Sequence, residues 1–196
     1  MKLVSSIFFL CLFNIAVKAQ QNKKLNFIKF SFGRVAFGTG DLFGYSFSSE
    51  LSKNLNKHIN LGLEATIENG KVQPEISDVY TAFNQVSNAS LTPKLNYYPF
   101  NKIVKGFNIG LGPTLGYQFK TEESQWTILY DPTGNPYLRR SILKYSNKFF
   151  VGYRVSVNYD FNFKKGFLLG LRSDFSNYNN GDINTLLSIK AGFTFK

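Results

Sequence analysis

Two stretches of the chain decide the fold, FNIGLGPTLGYQF at Phe107–Phe119 and FFVGYRVSVNYDF at Phe149–Phe161. In both, the odd-numbered positions are almost all apolar or aromatic. The even-numbered positions are small or polar, apart from Phe150. A period of two places the two sets on opposite faces of an extended strand. Each stretch therefore predicts a β-strand with one apolar face and one polar face. Pro113 interrupts the first of them and predicts a β-bulge, since proline cannot donate a ladder hydrogen bond.

The same alternation recurs along the chain and predicts eight strands. They span about 27–37, 44–55, 59–68, 91–100, 107–120, 148–161, 167–177 and 183–195. The first is the least regular because Phe27, Ile28, Phe30 and Phe32 place apolar residues on both faces. Connections at 56–58, 101–106 and 162–166 are short, whereas those at 69–90 and 121–147 are long. This order predicts an all-β protein, an eight-stranded antiparallel up-and-down barrel.

The first nineteen residues have the pattern of a secretory signal peptide. Lys2 supplies the charged start, an apolar run follows to Val17, and Val17-Lys18-Ala19 places small residues at the cleavage site. We therefore expect residues 1–19 to be removed and residues 20–196 to form a single domain. Because the only cysteine, Cys11, leaves with the peptide, disulfides, thiolate catalysis and cysteine-ligated metals are excluded from the mature chain.

An eight-stranded barrel can point its apolar face inward around a ligand, as soluble carriers do, or outward at lipid. Export, the alternation of short turns with long loops, and the absence of disulfides favour the arrangement in which the apolar face contacts lipid. The aromatic residues that bracket strands five and six do so as well. Thirteen residues of strand span about 40 Å, which a tilt of about 45° projects to roughly the thickness of an outer-membrane apolar band. We therefore predict a transmembrane barrel in which Leu115, Val151, Val155 and Ile189 face lipid.

The mature chain resembles the small eight-stranded outer-membrane β-barrels of the OmpA/OmpX type found in Gram-negative envelopes. The resemblance covers residues 27–195 and rests on architecture and on three soft motifs: 110–117 (GLGPTLGY), 97–100 (YYPF) and 191–195 (AGFTF). It implies short periplasmic turns, longer extracellular loops, and a terminal strand that the barrel assembly machinery reads during biogenesis. In this chain the final residue is Lys196 rather than an aromatic residue, so that signal is displaced by one position.

Long charged side chains on the polar faces are predicted to meet inside the barrel. An eight-stranded lumen is only wide enough for side chains to fill it, so opposite charges should pair across it. We expect Glu50 and Glu64 to reach Arg154 or Arg172, and Glu68 to lie outside this network at the outer end. The complete predicted lumen charge network is Glu50, Glu64, Lys94, Arg154, Arg172, Asp174 and Lys190.

Catalysis has little support in the sequence. The only histidine, His58, falls in a predicted periplasmic turn, away from any Ser or acidic partner at the outer end. The glycines at Gly110, Gly112 and Gly116 have neither the spacing nor the following helix of a nucleotide-binding loop. We therefore expect no enzymatic activity, no cofactor, no catalytic residue and no metal site.

The long connection at 121–147 carries the one indication of a binding surface. Two alternating segments flank Asp131-Pro132-Thr133-Gly134-Asn135-Pro136, a pattern that predicts a hairpin extending strands five and six above the membrane. It could bind a partner or pack down as a lid. The candidate contact residues are Trp126, Tyr130, Tyr137, Arg139 and Arg140.

The net charge of +11 does not indicate nucleic-acid binding, because the lysines gather at the predicted periplasmic turns without interleaved exposed aromatics. This basic rim can attract anionic headgroups or a periplasmic protein, or simply keep the turns out of lipid. The predicted partners are outer-membrane lipid, the assembly machinery, and a surface or periplasmic protein. The predicted role is a non-enzymatic structural or surface-interaction barrel. The alternatives are a small passive channel and a soluble periplasmic, lipocalin-like ligand carrier.

Overall fold

A computed structural model describes residues 27–38, 42–72, 82–100, 106–162 and 166–194. The predicted signal peptide at 1–19 lies outside the described residues. Within them, no helix is both long enough and apolar enough to cross a bilayer. Eight strands account for nearly all of the described chain. They are β1 (Phe27–Phe37), β2 (Leu42–Asn54), β3 (Ile59–Val72), β4 (Asn84–Tyr97), β5 (Gly106–Tyr130), β6 (Pro136–Asn162), β7 (Phe167–Tyr178) and β8 (Ile183–Thr194).

The strands form one closed antiparallel barrel in which every strand pairs with its neighbours in sequence. Closure is made by β1, which pairs with β2 through Phe27↔Ser52 and with β8 through Phe27↔Thr194. The predicted up-and-down barrel is thus confirmed. Closure leaves no strand edge open between β1 and β8, so each strand finds its backbone hydrogen-bond partners on both sides.

All eight predicted strands are present, but several boundaries differ. β3 continues to Val72 and β4 begins at Asn84, so half of the predicted 69–90 connection is strand. The segment 84–90 is rich in Asn and Ser, which have low strand propensity. Pairing overrides this propensity, because Ser87 lies between Asn69 of β3 and Phe119 of β5.

The prediction of a bulge at Pro113 is wrong. Leu91 pairs with Leu115 and Leu95 pairs with Leu111, so the register between β4 and β5 is the same on both sides of the interruption. That register sets Pro113 opposite Pro93. The two residues that lack an N–H therefore face each other and weaken a single place in the ladder. Beside them, the hydroxyls of Thr92 and Thr114 lie 2.9 Å apart inside the barrel and share a hydrogen bond.

The two ends of the barrel differ. We call the end with the connection 55–58 the short-turn end, and the end with the β5–β6 connection the hairpin end. As predicted, β5 and β6 continue past the other strands as a hairpin, which we define as residues 121–147. The carboxylate of Asp131 accepts hydrogen bonds from the backbone N–H groups of Thr133 (2.9 Å) and Asn135 (2.8 Å), which closes the turn. Gly134 supplies the positive φ of 85° that this turn requires.

The apolar faces point outward, as predicted. Leu115 and Ile189 are 48% and 65% exposed, while Arg154, next to Val155 in sequence, is fully buried. The interior carries the polar set of each strand. The barrel thus has an apolar outside and a polar, charged inside, with a one-residue alternation between them.

Val155→Arg should cost about 2–4 kcal/mol of stability, as charged residues do near the midplane of a bilayer. Val155→Leu, at the same outward position, should be nearly silent. Urea unfolding of the protein refolded in lipid vesicles measures both. An arginine variant that folds and resists heat like the parent would mean that the outward face does not contact lipid.

Candidate functional site

The barrel interior is the site with the most chemistry, and small residues make room for it. Gly62 lies beside Glu50, whose Oε1 would be 3.0 Å from a Cβ placed at residue 62. A Cβ at Gly110 would collide with the side chains of Ser156 and Asn96. Glycine at these inward positions thus leaves space for long charged side chains from the neighbouring strands.

Glu64 of β3 lies at the centre of the charged cluster, fully buried, and is contacted by three cations. Its Oε2 is 2.6 Å from Lys94 Nζ. Its Oε1 is 2.9 Å from Arg154 Nη1 and 2.6 Å from Arg172 Nη2. Side chains from three other strands therefore converge on one carboxylate. One comes from the neighbouring β4, and two come across the lumen from β6 and β7. Such charge-assisted hydrogen bonds are strong where water is excluded.

Each arginine also has a second carboxylate. Arg154 Nη2 lies 3.0 Å from Glu68 Oε1, and Arg172 Nε donates to Asp174 Oδ1 at 2.7 Å. Hydroxyl groups complete the shell, since Arg154 Nη1 donates to Thr66 Oγ1 at 2.7 Å. The guanidinium groups thus use several of their fixed donor directions, which orients them across the lumen.

A second group of charges lies nearer the short-turn end. Lys94 joins it to the first, because its Nζ is also 2.9 Å from Glu50 Oε2. Lys29 Nζ lies 3.8 Å from both Glu50 and Asp160, and Lys190 forms an ion pair with the same Asp160. The lumen charges are therefore one connected network that runs along the barrel axis.

The network is electrically balanced among the described residues. Five cations and five carboxylates are buried in the lumen, so every charge has an opposite partner and the interior has no net charge. The cations are Lys29, Lys94, Arg154, Arg172 and Lys190, and the anions are Glu50, Glu64, Glu68, Asp160 and Asp174.

Apolar side chains lie inside the barrel beyond both ends of the network. At the hairpin end a packed cluster contains Val35, Phe37, Leu42, Val86 and Leu186. The rings of Phe150 and Tyr178 lie near this end with centroids 4.4 Å apart. At the short-turn end, the inward-facing Phe27, Tyr98 and Leu168 are almost completely buried. The charged layer therefore lies between two apolar layers.

The structure places all seven predicted lumen charges inside the barrel, but two details differ from prediction. Glu50 does not contact an arginine; it contacts Lys29 and Lys94 instead. Glu68, predicted at the outer end, is buried in the network. Because β3 extends to Val72, Glu68 falls within the strand and on its inward face.

Sequence reasoning missed Lys29 and Asp160 as members of the network. Lys29 was missed because apolar residues occur on both faces of β1. The inward face of this strand carries Phe27, Lys29 and Ser31. The usable signal was the odd-numbered set Lys29, Ser31, Gly33, which is small or polar against outward Phe30 and Phe32.

The hairpin residues predicted as partner contacts are not all free. Arg139 donates from Nη2 to Glu123 Oε2 at 2.6 Å, and its side chain is only 8% exposed. Its guanidinium also lies 5.1 Å from the centre of the Trp126 ring. Arg139 is therefore a structural residue of the hairpin rather than an exposed contact, which corrects the prediction. Tyr130 and Arg140 are exposed, and the side chain of Tyr137 lies outside the described residues.

Glu123 connects the hairpin to the barrel. Its carboxylate accepts a hydrogen bond from the backbone N–H of Phe83 at 2.9 Å, and its own N–H donates to the Phe83 carbonyl at 2.9 Å. The side-chain hydrogen bond from Arg139 holds the pKa of the Glu123 carboxyl below its ordinary value of 4.5. Trp126, Arg139, Glu123 and Phe83 thus form a chain of contacts that braces the base of the hairpin.

Nothing in the described part of the chain brings three or more His, Cys, Asp or Glu side chains together in a way suited to a metal ion. His58 lies at the short-turn end, where its Nδ1 is 2.9 Å from the carbonyl oxygen of Tyr98. Its ring also stacks on Tyr97 at 6.3 Å. These contacts give His58 a structural role in the turn.

Comparison with known proteins finds relatives in structure alone. No protein-family model and no curated protein sequence matches the chain. Ail, the attachment invasion locus protein of Yersinia pestis, superposes with a TM-score of 0.50 at 11% identity, covering 87% of this chain and 99% of Ail. Neisserial surface protein A matches with a TM-score of 0.49 at 10% identity, covering 89% of this chain and 98% of that one. OprG from Pseudomonas aeruginosa matches with a TM-score of 0.45 at 9% identity, covering 87% and 97%.

The closed eight-stranded topology and the likeness to Ail define the class of protein. The chain has the fold of the small eight-stranded outer-membrane β-barrels.

Removing one charge from the network should destabilise the protein by more than the loss of that group's hydrogen bonds alone. Glu64→Gln leaves three buried cations with less negative charge, so we expect a loss of about 3–5 kcal/mol in unfolding free energy. Adding Arg172→Gln should cost less than the sum of the two single changes, because the second removes an uncompensated charge. Urea unfolding in detergent micelles completes this double-mutant cycle.

Glu122→Gln is the matched control for that cycle. Glu122 pairs with Lys120 at 2.7 Å, but both side chains are about one-third exposed. Such a pair is worth about 1 kcal/mol or less, and its loss should be small. Strict additivity of Glu64→Gln and Arg172→Gln would show that the two groups do not interact.

The brace at the base of the hairpin should loosen in acid. Because folding lowers the pKa of Glu123, its contribution to stability is present above the unfolded value of 4.5 and is lost as the pH falls through the lower folded value. Trp126 is the only tryptophan, so its fluorescence reports on this contact. We expect its emission to shift to the red in acid.

The Glu123→Gln variant separates this effect from titration of the turn. Hydrogen bonds from Thr133 also hold the pKa of the Asp131 carboxyl below its ordinary value of 3.8, so acid weakens the turn as well. With Gln at 123 the emission should be already shifted at neutral pH and should change little with acid. The same acid shift in both proteins would assign it to Asp131 instead.

Proposed function

We propose that this protein is an integral outer-membrane barrel with a structural or surface-interaction role, without enzymatic activity. The observation that carries the proposal is the polarity of the closed barrel, which is apolar outside and charged inside. Outward residues such as Phe32 and Leu187 are 60% and 68% exposed, whereas ten charged lumen side chains are buried. A water-soluble barrel requires the reverse arrangement.

The soluble carrier is the less favourable alternative. A lipocalin-like protein holds an apolar ligand in an apolar interior. In this barrel the middle of the interior is filled by the ion-pair network around Glu64. An apolar ligand placed there would displace charged groups from their partners, at a cost of several kcal/mol.

The lumen is proposed to be closed at rest. Two features support this: the balanced network spans the interior from Glu50 to Glu68, and an apolar layer follows it at either end. An ion entering the barrel would have to cross the apolar layers and then break buried ion pairs. A passive channel instead needs a continuous aqueous path.

The hairpin supports the surface-interaction part of the role. β5 and β6 contain 25 and 27 residues, against 11–14 in the other six strands, so the pair extends well beyond the barrel rim. The exposed Tyr130, Ile142 and Tyr145 are 55%, 60% and 72% exposed on it. Exposed aromatic and apolar residues on a projecting hairpin are typical of a protein contact surface.

Two measurements test the proposal. Membranes carrying the protein are washed in carbonate buffer without detergent, and we expect the protein to stay in the membrane fraction. Release into the soluble fraction would contradict an integral barrel. Purified protein in planar bilayers should show no steady conductance, while Glu64→Gln should raise it by weakening the network. Open conductance in the parent protein would favour the channel.

A further inference from the structure

Beyond the rim of the closed barrel, strand β6 is paired on one side only. Its ladder with β5 continues up to Pro136, whereas its ladder with β7 begins only at Gly152. We call residues 140–150 of β6 the free edge. Among the residues that the structure describes, none provides a backbone partner for the free edge on the β7 side.

Val151 shows which backbone groups point toward the β7 side. Its N–H donates to Asn179 Oδ1 at 3.0 Å, and its carbonyl oxygen accepts from the Asn179 N–H at 2.8 Å. In an antiparallel strand, alternate residues direct their N–H and C=O groups to the same side. The residues of the free edge that share the direction of Val151 include Ser141, Leu143, Tyr145 and Asn147. Such a row of unpaired backbone groups is a template for a further strand.

One face of the free edge is cationic. Arg140, Lys144 and Lys148 are exposed and lie four residues apart, so they share a face of β6 at intervals of about 13 Å. The free edge contains no acidic residue. Glu122 lies opposite Lys144 on β5, but it forms its ion pair with Lys120 at 2.7 Å. In the described part of the chain, no carboxylate lies within ion-pair distance of the three cations.

The opposite face of the free edge carries the exposed apolar side chains of Leu143, Tyr145 and Phe149. A strand paired with this edge would place its own side chains about 5 Å from those of β6, on the same two faces. The complementary strand is therefore acidic on one face and apolar on the other.

We propose that the free edge of β6 binds an extended acidic segment of another protein, which adds a strand to the hairpin. This proposal deepens the surface-interaction role proposed above and rests on it. The unpaired backbone groups supply the hydrogen bonds that give affinity. The cations at 140, 144 and 148 select a segment with carboxylates at every fourth residue, since opposite charges facing each other stabilise paired strands.

A second copy of this chain fits the free edge less well. In an antiparallel pairing of two β6 strands centred on Lys144, each lysine at this position would face the other, and Arg140 of each copy would face a lysine. Like charges directly opposite each other destabilise paired strands. Charge complementarity thus favours an acidic partner.

The experiment measures binding of a fluorescein-labelled peptide to the purified protein in detergent micelles by fluorescence anisotropy. The probe is an extended peptide with glutamate at every fourth position and valine or threonine elsewhere. The parent protein should bind it, and Arg140→Gln with Lys144→Gln should weaken binding on the order of tenfold. A peptide with lysine in place of glutamate should not bind. Equal binding of the two peptides would overturn the acidic partner.

The matched control is Lys53→Gln with Lys57→Gln, which removes the same charge from exposed positions at the short-turn end. We expect this control to bind the peptide like the parent. An equal loss in both double variants would mean general charge attraction and would overturn the site.

Asn147→Pro tests the backbone edge. Because the N–H of residue 147 points toward the free edge, proline removes a donor there and leaves the ladder with β5 intact. Binding should weaken on the order of tenfold, whereas Asn147→Ala, which keeps the N–H, should bind like the parent. Hydrogen exchange in the parent needs no variant: the amides of Leu143 and Tyr145 should exchange more slowly with peptide bound. Unchanged exchange would overturn strand addition.

Two further measurements separate this proposal from its alternatives. A dimer in native mass spectrometry without peptide, lost in Asn147→Pro, would assign the free edge to a second copy and overturn the acidic partner. A parent protein that stays in carbonate-washed membranes but does not bind the peptide would refute the edge site and leave the integral barrel standing. Release by carbonate would refute the barrel itself.

Discussion

The contact of Glu64 with Lys94, Arg154 and Arg172 is the interaction on which the rest of the structure depends. The interior of an eight-stranded barrel is narrow, and a buried charge is stable there only beside an opposite charge or hydrogen-bond partner within the protein. One carboxylate bridging three strands satisfies this requirement and holds opposite walls of the barrel together. The other lumen charges extend the same arrangement toward both ends.

Closure of the barrel and pairing of the charges require each other. Each ladder fixes the register of its own two strands, and a slip of one strand by one residue would turn its lumen charges outward and its outward apolar side chains inward. In β3, such a slip would place Glu64 and Glu68 on the apolar surface. The ion-pair network therefore specifies a single register as well as filling the lumen.

Charged side chains are held in place by opposite charges at two heights of the molecule. In the lumen, charges are buried and paired. At the base of the hairpin, Arg139 is held between Glu123 and Trp126, which braces the part of β5 and β6 that extends beyond the other strands.

The sequence alone determined the number of strands, their order and which face of each is apolar, because side-chain alternation is a local property with a period of two. It also identified seven lumen charges from that alternation. Only the tertiary structure decided which charges meet: Glu50 contacts lysines rather than an arginine, and Glu68 and Lys29 join the network. It also set Pro113 opposite Pro93 in place of a bulge. Partners across a closed barrel depend on the register between strands, which long-range pairing fixes and no local pattern records.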